Sequence, residues 1–241
     1  MKRLDVLLFE KNFFPTREKS KEAIEQGIIK LNGNICIKPG IKVNDDAIIE
    51  ICGNILKYVS RAGLKLEKAA SLWNINFNNK IVLDVGASTG GFTDFALQNG
   101  AYKVFAVDVG TNQLHSSLQN NKRVINLEKT DFRSMQNLSE EIDIAVCDCS
   151  FISLKLLLPK FCEVLTSGKE LVTLIKPQFE CGKQIAQKYK GVIKDSYLQE
   201  KIKNEIILEF CKAGFKLMGA CESPILGTAG NKEFLAYFIK E

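Results

Sequence analysis

Two ionisable residues end strongly apolar segments and give the first indication of chemistry. Asp148 follows the run DIAVC, and Lys176 follows LVTLI. Neither side chain is easily buried without a partner, so the pair is either a structural ion pair or a catalytic pair at the ends of two strands. A lysine beside a carboxylate can accept a proton or stabilise a developing negative charge. The pattern favours catalysis. The alternation of side chains predicts that Cys147 and Cys149 point to the opposite face and have no role.

A glycine-rich turn indicates where a second reactant binds. The apolar run at 81–83 is too short for a helix, and small residues separate it from a helical pattern at 92–98. Such a turn places backbone N–H groups and a helix N-terminus beside a crevice. The spacing G-x-x-x-G-G differs from the dinucleotide fingerprint, and a tight turn without a ligand is the alternative. The predicted cofactor residues here are Asp84, Gly86, Ala87, Ser88, Thr89, Gly90, Gly91 and Phe92.

Two more acids end later segments of the chain. Asp108 closes the run AVD and is suited to accept hydrogen bonds from both ribose hydroxyls of an adenosine-type cofactor. Asp131, in the sequence TDF, is suited to accept from an adenine amino group. Either acid can instead cap the helix that follows it. With Asp148 at the next strand end, these acids complete the predicted cofactor site.

The elements that position these residues alternate between strand and helix from residue 80 onward. Strands are predicted at KIVLDV, KVFAVDV, RVINLE, EIDIAVCD and ELVTLIKP, and near 215–222 and 233–239. Helices are predicted at 60–73, 92–99, 153–166 and 196–213. This order predicts an α/β fold, with five parallel strands, a final antiparallel pair and helices on both faces of the sheet. A Rossmann-like, seven-stranded methyltransferase domain fits it better than a dehydrogenase does. A flexible basic loop is predicted after Lys176, and its Lys188 and Lys190 suit a nucleic acid substrate.

The first sixty residues form a separate pattern. Helices are predicted at 4–14, where Pro15 stops the first one, and at 17–26, where Thr16 is the cap. Asn32-Gly33 predicts a hairpin, and residues 47–52 a third strand. Residues 1–44 contain nine Lys or Arg and five Asp or Glu, so most of the net charge of +5 lies here. This basic excess suits a polyanionic partner.

Composition excludes several classes of protein. The chain has 241 residues, 46% of them hydrophobic, and lacks a secretory signal pattern or an apolar run long enough for a membrane span, so we expect a cytoplasmic protein, by default a monomer. Its eight cysteines include no C-x-x-C pair and are expected to be reduced. The single histidine, His115, has no cysteine or histidine at ligand spacing. No metal site is predicted.

The N-terminal segment resembles the S4-type RNA-binding domain. The resemblance rests on TREKSKEAIEQG followed by IIKLNGNICIKPGIKV, and it covers nearly all of residues 1–60. It implies that Arg17, Lys19, Lys21 and Lys38 face structured RNA, through phosphate and shape contacts more than base contacts. We therefore predict an α+β RNA-binding domain at 1–59. The full set of predicted RNA contacts adds Arg3, Arg61, Lys188 and Lys190.

Six ordered motifs resemble the TlyA, or hemolysin A, family of ribosomal RNA 2′-O-methyltransferases, in which an S4-type domain precedes an FtsJ-like domain. They are YVSRAGLKLEKA, LDVGASTGGFTD, AVDVG, CDCSFISL, LIKPQFE and GNKEF, and they place the second domain at 60–241. The resemblance implies S-adenosylmethionine as cofactor, a cytidine ribose in ribosomal RNA as substrate, and a catalytic set of Lys65, Asp148, Lys176 and Glu233. The chain departs from the family at Ala62, where a second glycine is common, and at Cys149, where Val or Leu is frequent. Its short ends favour the large-subunit type.

Other functions stay open at this stage. A nicotinamide-dependent oxidoreductase also needs a glycine-rich turn and an acid such as Asp108, although it needs no RNA-binding module. A ribosome assembly factor without catalysis would keep the fold but not require Asp148 and Lys176. A membrane-active hemolysin is suggested only by the family's name. The sequence also leaves open whether Lys176 acts as a neutral base or as a charged group that stabilises the oxyanion.

Overall fold

The computed structural model describes residues 1–53, 57–136, 138–227 and 229–241, with the backbone alone at Lys183. The chain divides into two compact units, Met1–Lys57 and Tyr58–Glu241. Residues 54–56, part of the segment predicted to connect the two patterns, lie outside the described residues.

The first unit combines two helices with short strands. Its elements are β1 (Lys2–Arg3), α1 (Leu4–Glu10), α2 (Arg17–Glu25), β2 (Ile29–Leu31), β3 (Asn34–Ile35), β4 (Lys42–Val43) and β5 (Ile49–Ile51). Strand β2 pairs with β3 and with β5, while β1 pairs with β4, all antiparallel. Leu4, Leu8, Ile24 and Ile29 are fully buried at the centre of its apolar core. The α+β character predicted for this segment is confirmed.

Three local predictions for this unit are confirmed, and a fourth is confirmed in part. Leu31 pairs with Asn34 around Asn32 and Gly33, whose φ angles of 48° and 80° suit the predicted two-residue turn. The Thr16 side chain accepts a hydrogen bond from the Lys19 N–H, as a cap does, and β5 lies within the predicted third strand. The helix predicted over 4–14 begins at Leu4 as expected but ends at Glu10, before Asn12 takes a left-handed conformation that asparagine tolerates.

The second unit alternates strands and helices. Its elements are α3 (Ala62–Trp73), β6 (Ile81–Val85), α4 (Gly91–Gln98), β7 (Lys103–Val107), α5 (Ser116–Gln119), β8 (Val124–Leu127), a 3₁₀ turn (Phe132–Ser134), β9 (Ile144–Cys147), α6 (Leu154–Val164), β10 (Glu170–Ile175), α7 (Pro177–Glu180), α8 (Gly182–Lys188), α9 (Ser196–Lys212), β11 (Phe215–Glu222) and β12 (Phe234–Lys240).

Seven strands form one mostly parallel sheet in the order β11-β12-β10-β9-β6-β7-β8. Strands β6 to β10 are parallel, whereas β12 runs antiparallel between β10 and β11. The predicted five parallel strands and the antiparallel pair are therefore confirmed. The sheet reverses its strand order beside β6, where β7 lies on one side and β9 on the other, which is where open α/β sheets bind ligands.

Helices cover both faces of this sheet because its strands are apolar on both sides. On one face, Val82 and Val104 pack with Leu66 of α3 and Phe95 of α4. On the other face, Leu83 packs in a cluster that contains residues of α6 and α9. A strand with two buried faces reads as a continuous apolar run, which is the pattern that predicted it.

The segment after Lys176 differs from its prediction. Residues 182–188 form the helix α8, and not a flexible loop. The connection from α8 to α9 is held by two buried amide side chains. Asn231 donates to the Gly191 carbonyl and accepts from the Ile193 N–H, and Gln199 donates to the Ile193 carbonyl. The polar sequence predicted a flexible loop after Lys176. In the structure, hydrogen bonds with Asn231, far along the chain, fix the backbone of the connection between α8 and α9.

Candidate active site

The glycine turn between β6 and α4 has a backbone that only glycine satisfies at two positions. Gly86 and Gly90 have φ angles of 79° and 92°. A Cβ atom at Gly86 would lie 2.9 Å from the Cys149 sulfur, and one at Gly90 would overlap the side chain of Leu118. The turn is therefore both left-handed and closely packed, and it leaves backbone N–H groups beside a cavity. Gly91, the third glycine, packs against the first residues of α3.

Asp84, at the end of β6, is a buried acid with an incomplete set of partners. Its Oδ2 accepts a hydrogen bond from the Thr93 hydroxyl at 2.7 Å, and its Oδ1 has no hydrogen-bond partner among the described residues. Burial raises the pKa of Asp84 to about 7, and the charges of Asp148 and Asp108 add to that shift. An orphaned carboxylate oxygen beside the glycine turn fits a cationic group of a bound cofactor.

The buried Asp84 predicts a pH-dependent stability for the cofactor-free protein. Its folded pKa of about 7 lies above its ordinary value of 3.8, so the folded state holds a proton that the unfolded state releases between these values. Stability should therefore fall as the pH rises from about 4 to about 7, by on the order of 4 kcal/mol for this group alone. Urea unfolding of the wild type and of Asp84→Asn at pH 4.5 and pH 8 measures this, because the asparagine cannot ionise. We expect the variant to gain stability relative to the wild type at pH 8, and an equal difference at both pH values would contradict the prediction.

The carboxylates of Asp108 and Asp131 lie in different environments. The Asp108 carboxylate accepts from the N–H groups of Ser88, at 2.8 Å, and Gly110, at 2.7 Å, so its orientation is fixed from both sides. Asp131 caps the 3₁₀ turn through the Arg133 N–H and binds the Arg133 guanidinium with both oxygens, which holds the pKa of Asp131 below its ordinary value. The cap that the sequence left open for Asp131 is thus present, and its contact with an adenine stays a prediction.

Four ionisable residues meet at the carboxyl edge of the sheet. The Lys65 Nζ lies 3.1 Å from Asp148 Oδ2 and 2.8 Å from Glu233 Oε2, and the Lys176 Nζ lies 2.6 Å from Asp148 Oδ1. The side chains of these residues are between 4 and 13% exposed. The cluster contains two basic and two acidic side chains, so each buried group has a partner of the opposite kind. The predicted proximity of Lys176 and Asp148 is confirmed.

Sheet topology explains how distant residues come together. Asp148 follows β9 and Lys176 follows β10, and these neighbouring parallel strands end at the same edge. Glu233 precedes β12, which runs the other way, so the amino end of β12 meets the carboxyl end of β10, where Phe234 pairs with Ile175. Lys65 reaches the same point from the first turns of α3.

Ser150 and Phe151 also lie at this edge of the sheet, and the sequence analysis did not select either of them. Ser150 accepts a hydrogen bond from the Lys176 Nζ at 3.0 Å. Phe151 has a left-handed φ of 64°, is 91% exposed, and its ring lies 5.0 Å from that of Phe179. A strained backbone and a fully exposed aromatic ring beside charged residues are typical of binding sites. Their signals in the sequence were their positions two and three residues after Asp148, within the motif CDCSFISL.

Two adjoining cavities surround the cluster. One, of about 660 Å³, is lined by all four ionisable residues and by Ala87, Thr89 and Phe92, and the other, of about 580 Å³, by Asp108 and Asp131. Both cavities are also bordered by Gly86, Ser88, Asp148, Ser150 and Phe151. Together the two cavities offer space for a cofactor and a substrate beside Asp148.

Cys149 corrects an expectation from side-chain alternation. The side chain was predicted to face away from the site, but it lines the second cavity, and its thiol donates to the Val85 carbonyl. Strand β9 ends at Cys147, so the alternation does not continue as far as residue 149. A hydrogen bond with Cys147 and burial raise the pKa of the Cys149 thiol, which keeps it neutral.

The predicted RNA-binding residues have different surroundings. Arg3 and Arg17 both bind the buried Asp5, whereas Lys19 and Lys21 pair with acids on their own helix. Four others are exposed, namely Lys38 in the first unit and Arg61, Lys188 and Lys190 in the second. Arg61 also borders the larger cavity. The geometry leaves all eight accessible to solvent.

Two further features concern ligands and membranes. Across the described ranges, no group of three or more His, Cys, Asp or Glu side chains is arranged to hold a metal ion. All eight cysteines are free thiols. Within the same part of the chain, no helix has the length and apolar character needed to cross a bilayer.

The sequence matches two family models in succession. Residues 2–49 match the S4 domain, and residues 58–240 match the FtsJ-like methyltransferase. The second match covers more than half of the chain and contains every residue of the four-membered cluster.

Relatives and solved structures agree with these models. The chain is 38% identical to the 23S rRNA (cytidine-2′-O)-methyltransferase TlyA of Campylobacter jejuni, over 95% of this chain and 84% of that protein. It is 34% identical to the 16S/23S rRNA (cytidine-2′-O)-methyltransferase TlyA of Mycobacterium tuberculosis, over 98% and 88%. The solved structure of a hemolysin-type protein from Streptococcus thermophilus superposes with a TM-score of 0.76 at 42% identity, covering 99% of this chain and 88% of that one.

Proposed function

Because the chain belongs to the FtsJ-like methyltransferase family and carries an S4 domain, we propose that it methylates the 2′-hydroxyl of a cytidine in ribosomal RNA, using S-adenosylmethionine. The observation that carries this proposal is the cluster of Lys65, Asp148, Lys176 and Glu233 beside the glycine turn. Each acidic and basic member of the cluster has a partner of opposite charge, and Asp148 borders both cavities. We further propose that residues 1–59 are the RNA-binding domain and 60–241 the catalytic domain of a cytoplasmic, monomeric enzyme.

The glycine turn and the acids that border the two cavities fit the cofactor. We propose that Asp84, the turn from Gly86 to Gly91 with Phe92, Asp108, Asp131 and Asp148 hold S-adenosylmethionine. Asp108 suits ribose hydroxyls because its carboxylate is fixed by two backbone N–H groups and keeps further lone pairs for a ligand. When bound, S-adenosylmethionine supplies an electrophilic methyl group on a sulfonium. The chain's task is then to align an oxygen nucleophile with it.

Lys176 is the residue that acts on the nucleophile in this proposal. A ribose 2′-hydroxyl must lose its proton as it attacks, so it needs a positioned base or a cation that stabilises its oxygen. The Lys176 amine is held by Asp148 Oδ1 and by the Ser150 hydroxyl, which fix its position at the cavity wall. Lys65 binds Asp148 Oδ2 and Glu233 at once, so it braces the carboxylate that orients Lys176.

The surroundings of the cavity support an RNA substrate. Arg61, Lys188 and Lys190 are exposed on the catalytic unit, where they suit phosphate contacts. The exposed ring of Phe151 borders both cavities, and aromatic rings in such positions stack on nucleic acid bases. In the first unit, Arg3, Arg17, Lys19, Lys21 and Lys38 are proposed to bind structured RNA. We propose large-subunit RNA as the preferred substrate.

A cofactor-site variant tests the assignment of Asp108. Asp108→Asn should weaken S-adenosylmethionine binding by roughly tenfold or more, because an amide offers one acceptor oxygen and directs an N–H₂ group toward a backbone N–H. Isothermal titration calorimetry measures the dissociation constant directly. Glu128→Gln is the control, since this acid follows β8 and accepts from the Asn112 N–H but borders neither cavity. Equal cofactor affinities for the wild type and Asp108→Asn would contradict the role.

Methyl transfer to isolated ribosomal subunits tests the function as a whole. The purified protein is incubated with S-adenosylmethionine carrying a labelled methyl group and with small or large subunits separately. Primer extension at low nucleotide concentration then maps any 2′-O-methylated position, and nucleoside analysis identifies the base. We expect 2′-O-methylcytidine at a defined position of large-subunit RNA. Label in neither subunit, or label on a base, would contradict the proposal and would favour an assembly factor or another substrate.

A further inference from the structure

The first unit contains a buried carboxylate that joins two arginines. Asp5 is 2% exposed, and it receives the Arg3 Nε on Oδ1 at 2.9 Å, the Arg3 Nη2 on Oδ2 at 3.1 Å, and the Arg17 Nε on Oδ2 at 2.9 Å. Both arginine side chains remain 50% exposed. We propose that Asp5 is a positioning residue for RNA binding, which holds Arg3 and Arg17 side by side as a fixed phosphate-binding pair; this rests on the proposed function.

The charges explain why Asp5 is needed for such a pair. Arg3 Nη2 and Arg17 Nε share Oδ2, so these two nitrogens lie within about 6 Å of each other. Two guanidinium groups at that distance repel unless an anion lies between them. Burial favours the neutral form of Asp5, but the hydrogen bonds from both arginines outweigh it and hold its pKa below the ordinary value. Asp5 is therefore ionised, and the triad keeps a net charge of +1.

The same geometry leaves donors for a ligand. Each guanidinium has five N–H groups, of which Asp5 takes two from Arg3 and one from Arg17. The planar arginine fork matches two oxygens of a phosphate, and holding it in place beforehand removes part of the entropic cost of binding. Lys19 and Lys21 differ in this respect, because each pairs with a solvent-accessible acid on the same helix. Such exposed pairs fix a side chain only weakly.

Replacing Asp5 by asparagine tests whether RNA binding depends on the fixed positions of Arg3 and Arg17 or on net charge alone. Asp5→Asn adds one positive charge, which by long-range attraction alone should strengthen RNA binding. If Asp5 positions the arginines, the variant should instead raise the KM for large ribosomal subunits about tenfold, with kcat at saturating subunits unchanged. Glu10→Gln is the matched control, since it adds the same charge on the same helix by releasing an exposed ion pair with Lys2. The control should bind as tightly as the wild type or more tightly.

A second set of variants decides the question if Asp5→Asn does not fold, which circular dichroism and thermal unfolding report. Arg3→Lys with Arg17→Lys keeps the net charge and removes only the guanidinium forks. We expect this double variant to lose RNA affinity about tenfold in filter binding. Wild-type affinity in the double variant, or an unchanged or lower KM in folded Asp5→Asn, would overturn the proposal. If the wild type itself neither binds nor methylates ribosomal subunits, the proposed function fails instead.

Discussion

Replacing Lys176 by alanine is expected to slow methyl transfer by roughly 10³-fold, in the range that a positioned acid–base group contributes. The Lys176 amine is the member of the cluster held by both Asp148 and Ser150 at the cavity wall, and alanine removes it without filling its place. Single-turnover methylation of ribosomal subunits at saturating S-adenosylmethionine measures the rate. Cofactor affinity, measured by calorimetry, should change little, because the Lys176 amine binds Asp148 and Ser150 and Lys176 is not among the residues proposed to hold the cofactor.

The chain provides a matched control for Lys176. Strand β10 is flanked by two lysines, and Lys169, at its other end, binds Asp143 at 2.9 Å. Lys169→Ala also removes a lysine side chain and breaks an ion pair with an aspartate that flanks β9. This ion pair lies at the opposite edge of the sheet. It should methylate at the wild-type rate. Comparable rates for Lys176→Ala and the wild type would show that the cluster is structural.

Arginine at position 176 distinguishes the two roles that the sequence left open. Arginine keeps the positive charge but does not release its proton at accessible pH. If Lys176 accepts the proton of the 2′-hydroxyl, Lys176→Arg should be as inactive as Lys176→Ala. If the charge alone stabilises the oxygen, the arginine variant should recover a substantial part of the rate.

Replacing Asp148 by asparagine should affect both rate and stability. Asp148 binds Lys176 through one oxygen and Lys65 through the other, and an amide can accept from only one of them. Lys65 would keep Glu233 as its acidic partner, whereas Lys176 would keep only the Ser150 hydroxyl and the backbone carbonyl of residue 148. We expect a rate loss of at least about 10²-fold and a free energy of unfolding lower by about 3–5 kcal/mol, as when one partner of a buried ion pair is removed. Single-turnover assays and urea unfolding measure the two effects.

Asp143→Asn is the control that separates these effects. Asp143 flanks the amino end of β9, binds Lys169, and accepts from the Ile81 N–H. Its replacement should lower stability while the methylation rate at saturating substrates stays at the wild-type value. Equal rate losses in Asp143→Asn and Asp148→Asn would attribute the loss of activity to general destabilisation, and would remove Asp148 from the mechanism.

Local patterns predicted most of the elements because those elements depend on neighbouring residues. Strand β6 with its glycine turn, the Asn32-Gly33 hairpin and the Thr16 cap each follow from a few adjacent side chains. Helix α8 was missed because its polar sequence resembles a loop, and the connection after it is held by Asn231, which lies far along the chain. The wrong face predicted for Cys149 has a different origin, because the prediction extended the alternation two residues beyond the point where β9 ends.

The sequence by itself determined the α/β fold and the positions of Asp148 and Lys176, because an apolar run that ends in a charged residue marks both a buried strand and its edge. Lys65 and Glu233 were assigned only by family resemblance. Their meeting with Asp148 was decided by the tertiary structure, because the antiparallel direction of β12 and the position of α3 bring the Lys65 amine within reach of both Glu233 and Asp148. The pairing of Arg3 and Arg17 on Asp5 likewise appeared only in three dimensions, since no spacing along a chain specifies which arginine a buried carboxylate will bind.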